Sequence, residues 1–594
     1  MSVKERLEQL RKLMKENSIG AFIIPSSDPH QSEYVAGRWK TRAWISGFTG
    51  SAGTVVVTAD KAGLWTDGRY FLQAAEQLKG STIDLFKMGL PETVDYKTWI
   101  NSELSVGQVV SFDPAVLSIA QVDGLKAAFK KKKIKVVSSS DLINEIWADR
   151  PVFPDGKAVL QSVKFCGMER TEKFKDLREK MAEEGVTHHL FASLDDIAWI
   201  FNIRGTDVTY NPVVMSYAVV GMNEAVLFVD QNKIDEKDRA ILGKDGVTLR
   251  DYAEISTFLS ALSEESVVFL DTSRCSQNLL DALKQNKAKV VRGTNMSQIM
   301  KAVKNDVEIR GMKKAHIVDG IAMVKYLHWL DTTIGKEEIT EISAADKLEG
   351  FRKLGENFRG LSFDTISGYN EHGAIIHYSA TPETSSTLRP EGFLLVDSGG
   401  QYLDGTTDIT RTIVLGDISD RMKRDFTLVL KGHIKLSMTK FPQGFTTGAH
   451  IDAFAREALW QHGLNYNHGT GHGVGAYLGV HEGPMGISPR WNETKLVSGM
   501  IMSDEPGYYE SGKYGIRIES LVLVVPVEET QWGQFLAFET ITMCPIDKRA
   551  VDVSLLTEDE KNWLNRYHEE VYKKLSSMLD DDVKVWLKKM TEKI

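Results

Sequence analysis

The sequence predicts a multidomain chain of mixed α/β and α+β class: two related α/β domains, residues 1–150 and 151–303, followed by a third segment, residues 304–594. Three observations carry this. At 594 residues the chain is long, enough for about three to five domains that each bury their own core. Charged helical stretches alternate with short β-branched runs through the first half, the order of an α/β layer. Nearly all the unusual acids and histidines lie from about residue 304 onward.

The N-terminal "MSVKERLEQLRKLMKENSIG" spaces Val3, Leu7, Leu10, Leu13 and Met14 like an amphipathic helix and lacks the continuous apolar stretch of a secretory signal. The β-branched runs "GAFIIPSSD" and "GTVVVTADKAGLWTDGRY" follow. After the proline-containing "DRPVFPDGK" at 149–157 the order restarts: the charged helix "RTEKFKDLREKMAEEG", the strand "THHLFAS", then "LDDIAWIFNIRG". This echo reads as a distant internal repeat. The third segment opens near "KAVKNDVEIRGMKKAHIVDGIAMVKYLHWL", with apolar residues at helical spacing. "LVLVVPV" at 521–527 reads as a buried strand, and no apolar run approaches the ~18–20 residues that span a bilayer. Near the C-terminus, Thr557 and Glu560 form a capping-box pattern ahead of a helical face of Trp563, Leu564, Tyr567, Val571 and Leu575, which reads as packing surface.

Apolar residues make up 42% and charged residues 26%, ordinary values for a globular protein. A net charge of −9 lacks the positive field that nucleic acid or anionic lipid demands, and the one basic run, Lys130–Lys133, reads as solvated surface. Cys166, Cys275 and Cys544 are scattered without CxxC spacing, so no disulfide framework or zinc ribbon is expected. The expectation is a soluble, cytoplasmic protein with no nucleic-acid or membrane partner.

Two segments carry the chemistry. In "FLLVDSGGQYLDGTTDITRTIVL" Asp397 ends an apolar strand and Asp408 begins an alternating one after a glycine-rich turn, so a hairpin brings both carboxylates to one face. In "MIMSDEPGYYESGKYGIRIESLVLVV" Glu505 and Glu519 each lie seven residues from Gly512, so a turn centred there makes them face each other. Carboxylates among such apolar runs are expected to be buried, where an unpaired charge costs several kcal/mol. Arg411 and Arg517 are near in sequence but cannot balance four acids. Two divalent ions can, and at about 3.5–4 Å apart they would share carboxylates and activate a water. Asp404 reads as a turn residue, and "DGTTD" lacks EF-hand spacing. The glycines of "GHGVGA" at 471–476 open no convincing helix and those of "GSAGT" at 50–54 lack a G-K-[ST] ending, so neither reads as a nucleotide loop.

These residues, with "GAIIHY", "HGTGHGVGAYLGVHEGP", "SDEPGYYESGKYGIRIES" and the N-terminal "SGFTGSAGTVVVT" and "WTDGRYFLQA", resemble the large three-domain form of aminopeptidase P. The resemblance runs over essentially the whole chain. It implies a C-terminal pita-bread catalytic domain, the fold shared with prolidase, creatinase and methionine aminopeptidase. It implies metal ligation by Asp397, Asp408, His472, Glu505 and Glu519: Asp408 and Glu519 bridge, Asp397 serves one ion, and His472 and Glu505 serve the other. It further implies that His377, His468 and His481 handle substrate and protons, that Arg69 acts on the substrate side, and that Tyr509 and Arg517 support the site. Arg517, two residues from Glu519, is placed to orient a ligand carboxylate. A homodimer is implied as well.

The activity so implied is release of an N-terminal residue from peptides with proline second, through a metal-bridged hydroxide. An Xaa-Pro bond has no N–H to grip, whereas an activated water needs only the carbonyl carbon. Glu505 is expected to take the proton of that water, and a histidine titrating near the working pH to donate one. The oxygen-rich ligand set favours Mn²⁺ and leaves Zn²⁺, Co²⁺ and Fe²⁺ open. The rival readings are a prolidase-type Xaa-Pro dipeptidase and a non-catalytic pita-bread module that binds peptides or proteins.

Overall fold

The computed structural model describes residues 1–594 and comprises two compact units, residues 1–161 with 168–297 and residues 162–167 with 298–594. In the first, helix α1 (Val3–Glu16) opens with a capping box between Ser2 and Glu5 and buries Leu7, Leu10 and Met14, as the spacing requires. A six-stranded sheet follows, built from β1 (Ala21–Pro25), β2 (Thr54–Thr58), β3 (Ala62–Thr66), β4 (Asp84–Lys87), β5 (Val109–Phe112) and β6 (Lys135–Ser138) in the order β4-β3-β2-β1-β5-β6. β2 runs antiparallel to its neighbours β1 and β3, while β4 adds in parallel beside β3, and β5 and then β6 in parallel beside β1. The inner strands are mostly apolar and almost wholly buried because both faces are covered.

A second sheet uses β7 (His188–Phe191), β8 (Ser216–Gly221), β9 (Ala225–Val229), β10 (Val247–Arg250), β11 (Val267–Leu270) and β12 (Lys289–Arg292) in the order β10-β9-β8-β7-β11-β12. Its pattern of parallel and antiparallel neighbours is the same as in the first sheet. The internal repeat is therefore real at the level of topology. His30, buried between the two lobes, is 2.8 Å from the Ala192 carbonyl through Nδ1 and 2.9 Å from the Tyr252 hydroxyl through Nε2. Burial lowers its pKa, so it pins the lobes as a neutral ring.

The second unit begins its helical layer with α2 (Asp306–Thr333), capped by Asn305 and Glu308. α3 (Asp420–Ser437) packs against α4 (Gly448–Trp460) and α5 (Glu558–Leu575), and α5 against α2, in a core that includes Val324, Phe426, Ile434, Leu459, Leu564 and Val571. The predicted capping box of α5 is present, and Trp563 stacks on the buried Tyr567 with ring centroids 5.4 Å apart. Two sheets face this layer. One contains Ile366–Tyr369, β13 (Phe393–Ser398) and β14 (Ile409–Val414). The other runs from Lys440–Pro442 to strands near the chain's histidine-rich loop and contains β15 (Gly471–Gly473), β16 (Glu482–Ile487) and β17 (Ile501–Asp504), together with the strands Ser520–Thr530 and Gly533–Thr540. Between them lies a two-stranded ribbon of β18 (Gly507–Glu510) and β19 (Tyr514–Arg517), followed by β20 (Ser520–Thr530) and β21 (Gly533–Thr540).

Two strand expectations need correction. β14 does not alternate: all six of its residues are buried, because helices and the neighbouring hairpin cover both faces. "LVLVVPV" is buried only through Val524; beyond it β20 runs out into a solvent-exposed hairpin with Val527 44% accessible.

Candidate active site

The two hairpins seen in sequence set the carboxylates. β13 and β14 pair with Asp397 opposite Thr410, which puts Asp408, two residues earlier, diagonally across on the same side. Asp404 sits in the turn beyond, accepting a hydrogen bond from Asn357 Nδ2 at 2.6 Å, as expected for a turn residue. In the second hairpin Gly507 pairs with Arg517, while Asp504 pairs with Ser520 in the adjoining ladder. Both ladders share one register, and Glu505 and Glu519 face each other in the gap between them. The two hairpins are stitched together by Thr410. Its carbonyl accepts from the Glu519 N–H at 3.1 Å, and its hydroxyl donates to Glu519 Oε2 at 2.8 Å.

His472 enters from β15. Its Nδ1 is 2.9 Å from the Gly473 carbonyl, to which the ring donates, leaving Nε2 as the free ligand atom. Nε2 lies 3.4 Å from Asp408 Oδ2 and 3.5 Å from Glu505 Oε1. Ligand atoms of Asp408, His472 and Glu519 all fall within 4.8 Å of one another. Glu505 is held by Ser503, whose hydroxyl donates to Oε1 at 3.0 Å, and by its own N–H on the Thr470 carbonyl at 2.8 Å.

The charge balance of this pocket is unmet by protein alone. Burial pushes the carboxyls of Asp397, Glu505 and Glu519 above their ordinary range, and repulsion from neighbouring carboxylates, Asp408 first among them, adds to it. His472 is opposed by burial but is carried up to about 9 by Asp408 and Glu505. Arg411 gives no relief: it turns away to the carbonyls of Glu519, Cys544 and Pro545 and to the Tyr567 hydroxyl. Arg517 is the arginine that faces the acids, with NH2 2.6 Å from Asp397 Oδ2. Asp397 Oδ1 is buried with no hydrogen-bond partner. A largely buried, acceptor-rich cluster with an orphaned carboxylate oxygen fits the binding of divalent cations with a preference for oxygen.

Arg517 organises the next layer. Besides Asp397 it reaches the Thr410 hydroxyl at 3.2 Å, the Tyr509 hydroxyl at 2.7 Å and the Ile376 carbonyl at 3.5 Å. It thus orients Asp397; the carboxylate nearer in sequence, Glu519, is held by Thr410. Ile376 immediately precedes His377, so the same guanidinium fixes the backbone at that histidine. Tyr509 is 2.8 Å from His468 Nε2, while His468 Nδ1 meets the Gly469 carbonyl at 2.7 Å. Burial, reinforced by the nearby Arg517 charge, drives the His468 pKa down to about 3. A ring so shifted is neutral near pH 7. Burial raises Tyr509 to about 12. His481 is exposed, and its ring stands edge-on to His472 with centroids 4.4 Å apart and an interplanar angle of 88°. Arg69 belongs to the first unit. There it forms a bidentate pair with Asp67, both contacts 2.8 Å, beside Ser26, Gln31, Glu33 and Arg274 in a cavity of about 720 Å³. Sequence reasoning missed Thr410, Ser503 and Thr470. Thr410 had a legible signal, since it shares the strand face of Asp408 two residues away.

Comparison with known proteins fits this architecture. Residues 310–526 match the model for metallopeptidase family M24 and residues 534–594 its C-terminal region, while 6–146 and 149–308 each match a creatinase/prolidase N-terminal domain. The class is therefore a metal-dependent peptidase, a hydrolase. A probable Xaa-Pro aminopeptidase P of Laccaria bicolor is 44% identical over 99% of this chain and 93% of its own length. Aminopeptidase P1 of Lotus japonicus is 40% identical over the whole of both chains. The solved X-prolyl aminopeptidase of Caenorhabditis elegans, described as a cytosolic enzyme with a di-nuclear active site, superposes with a TM-score of 0.95 at 37% identity and covers 100% of both chains. The chain belongs to the aminopeptidase P family of M24 metallopeptidases.

Proposed function

We propose that this enzyme hydrolyses the first peptide bond of substrates with proline in second position, using two divalent ions held by Asp397, Asp408, His472, Glu505 and Glu519. The observation that carries this reading is the convergence of four carboxylates, Asp408 and Glu519 buried and Asp397 and Glu505 half-buried, and one imidazole with a single facing arginine and an orphaned Asp397 oxygen. The names of the full-length relatives supply the substrate class. When bound, the ions supply a polarised water and a Lewis acid for the scissile carbonyl.

The protein's own groups do the rest. Glu505, steadied by Ser503, takes the proton of the attacking water. His481, exposed beside His472, and His377, fixed through Ile376, offer hydrogen bonds to the substrate and to the charge that develops on its carbonyl oxygen. His468 contributes by holding the Tyr509 hydroxyl against Arg517, and Arg517 in turn fixes Asp397. Arg69 is assigned to the substrate side. Mn²⁺ is the metal favoured by the ligand chemistry. A homodimer is consistent with the exposed rings of Phe445, Trp460 and Trp491, 61%, 49% and 61% accessible. A cytosolic location follows the description of the worm enzyme.

The test is a peptide assay after chelation and again after addition of Mn²⁺. Metal-restored release of Xaa from Xaa-Pro-Yaa, with little from Xaa-Ala-Yaa, is the expected result; no release would end this reading. Activity confined to Xaa-Pro dipeptides would replace it with a prolidase.

A further inference from the structure

Directly after His481 the chain carries Glu482, buried on β16, with its carboxylate between two lysines that are themselves buried. Lys301 Nζ lies 3.3 Å from Oε2 and Lys304 Nζ pairs with Oε1; the three side chains are 2%, 1% and 2% accessible for Lys301, Lys304 and Glu482. Lys304 Nζ also donates to the Lys301 carbonyl at 2.9 Å, which locks the pair of cations into one geometry. The lysine segment is anchored to the start of the strand that leads to Glu505: the Lys304 N–H donates to the Gly499 carbonyl at 3.0 Å, and Val303 bridges to Met500.

The backbone of Glu482 faces the metal ligands. In the β15–β16 ladder Glu482 pairs with Gly473, the residue whose carbonyl holds the His472 ring. The approach is so close that a Cβ on Gly473 would lie 2.2 Å from the Glu482 carbonyl oxygen. One residue thus sets the position of His481 through the chain and of His472 through Gly473, and these two rings touch edge to face.

We propose that Glu482, clamped by Lys301 and Lys304, is a positioning residue for the reaction, fixing the His472–His481 pair against the metal centre. The inference rests on the proposed reading of that centre. Nothing in folding alone calls for three charges at this spot, because well-packed apolar residues of similar volume are often as stable or more so. The ionic clamp instead gives β16 one fixed position along its length.

The test compares wild type, Glu482→Gln, Glu482→Asp and Lys304→Met. Each is checked for folding by circular dichroism, for Mn²⁺ affinity by competition with a chelating dye, and for kcat and KM on an Xaa-Pro-Yaa peptide. Folded Glu482→Gln is expected to bind Mn²⁺ about tenfold more weakly and to lose about tenfold or more in kcat at saturating metal, with KM little changed, as for other residues that orient metal ligands. Glu482→Asp, which keeps the charge, should recover most of both losses. Folded Glu482→Gln with kcat and Mn²⁺ affinity like wild type, or a loss that Glu482→Asp does not relieve, overturns the proposal. Should Glu482→Gln not fold, Lys304→Met decides, with loss of kcat supporting the role and unchanged kcat and affinity refuting it. If wild type itself releases no Xaa, the functional reading fails, and Mn²⁺ affinity of the variants alone judges the clamp.

Discussion

Glu505 and Arg517 show how differently two buried charges next to one metal centre behave. In the proposed reaction Glu505 accepts a proton, so Glu505→Gln should keep the fold and retain less than about a tenth of kcat; greater retention would contradict its proposed role as base. Arg517 is the protein's own counter-charge for Asp397, and removing one member of a buried pair typically costs about 3–5 kcal/mol. Arg517→Met is therefore expected to destabilise chelated protein far more than Mn²⁺-loaded protein, because an ion offers Asp397 another positive partner. Melting curves with and without metal test this, and equal losses in both would refute it. At this scale the sequence brought the clustered acids to notice better than the groups that hold them. The acids stood out because carboxylates beside "FLLV" and "LVLVV" violate the ordinary pattern of buried strands. Thr410 and Ser503 stood out less, because hydroxyl residues are common in strands; the partner of Thr410, Glu519, lies more than a hundred residues away, and that of Ser503 is Glu505, two residues on.

At the scale of elements, hairpin register converts sequence spacing into site geometry. The expectation that Glu505 and Glu519 face each other about Gly512 holds because the ladders on both sides of them keep the same pairing. Burial of β14 and exposure of the end of β20 were not legible, since both depend on what other elements cover those faces. Element-level substitutions should separate the site from its support. Gly473→Ala places a methyl 2.2 Å from the Glu482 carbonyl, so β15 and β16 must part. Its expected effect is loss of Mn²⁺ binding and of activity together, measured by equilibrium dialysis and peptide release; normal metal binding would show that the contact relaxes freely. Thr557→Ala removes the cap of α5 and should lower stability by about 1 kcal/mol while leaving kcat unchanged. A change in kcat would mean that α5 bears on the site more directly, through Tyr567 and Arg411.

For the whole molecule, metal and protons compete for one cluster. Without metal, Asp397, Glu505 and Glu519 hold their protons to higher pH than ordinary carboxyls, and His472 keeps its proton to about 9. The folded chain then binds protons more tightly than the unfolded one. That support is complete below the ordinary carboxyl and imidazole values and is lost as pH rises through the raised ones. Chelated protein should accordingly melt at lower temperature at about pH 8 than at about pH 5, and the rise in melting temperature on adding Mn²⁺ should grow over the same interval. A metal-induced rise that is flat or shrinks toward pH 8 would contradict the cluster's assignment. The duplicated architecture of the first unit was legible as an echo of element order, whereas the pinning of its lobes by His30 was not, because Ala192 and Tyr252 are remote in sequence.

The hairpin tip at Gly512 offers one practical consequence. Ser511, Gly512 and Lys513 are exposed, while Cys166, Cys275 and Cys544 are all buried. A cysteine at position 511 would therefore be the sole surface thiol of the chain. A fluorophore coupled there would ride on the two-stranded ribbon whose far ends lead to Glu505 and Glu519, and so report optically on the filling of the site in a protein otherwise left unaltered.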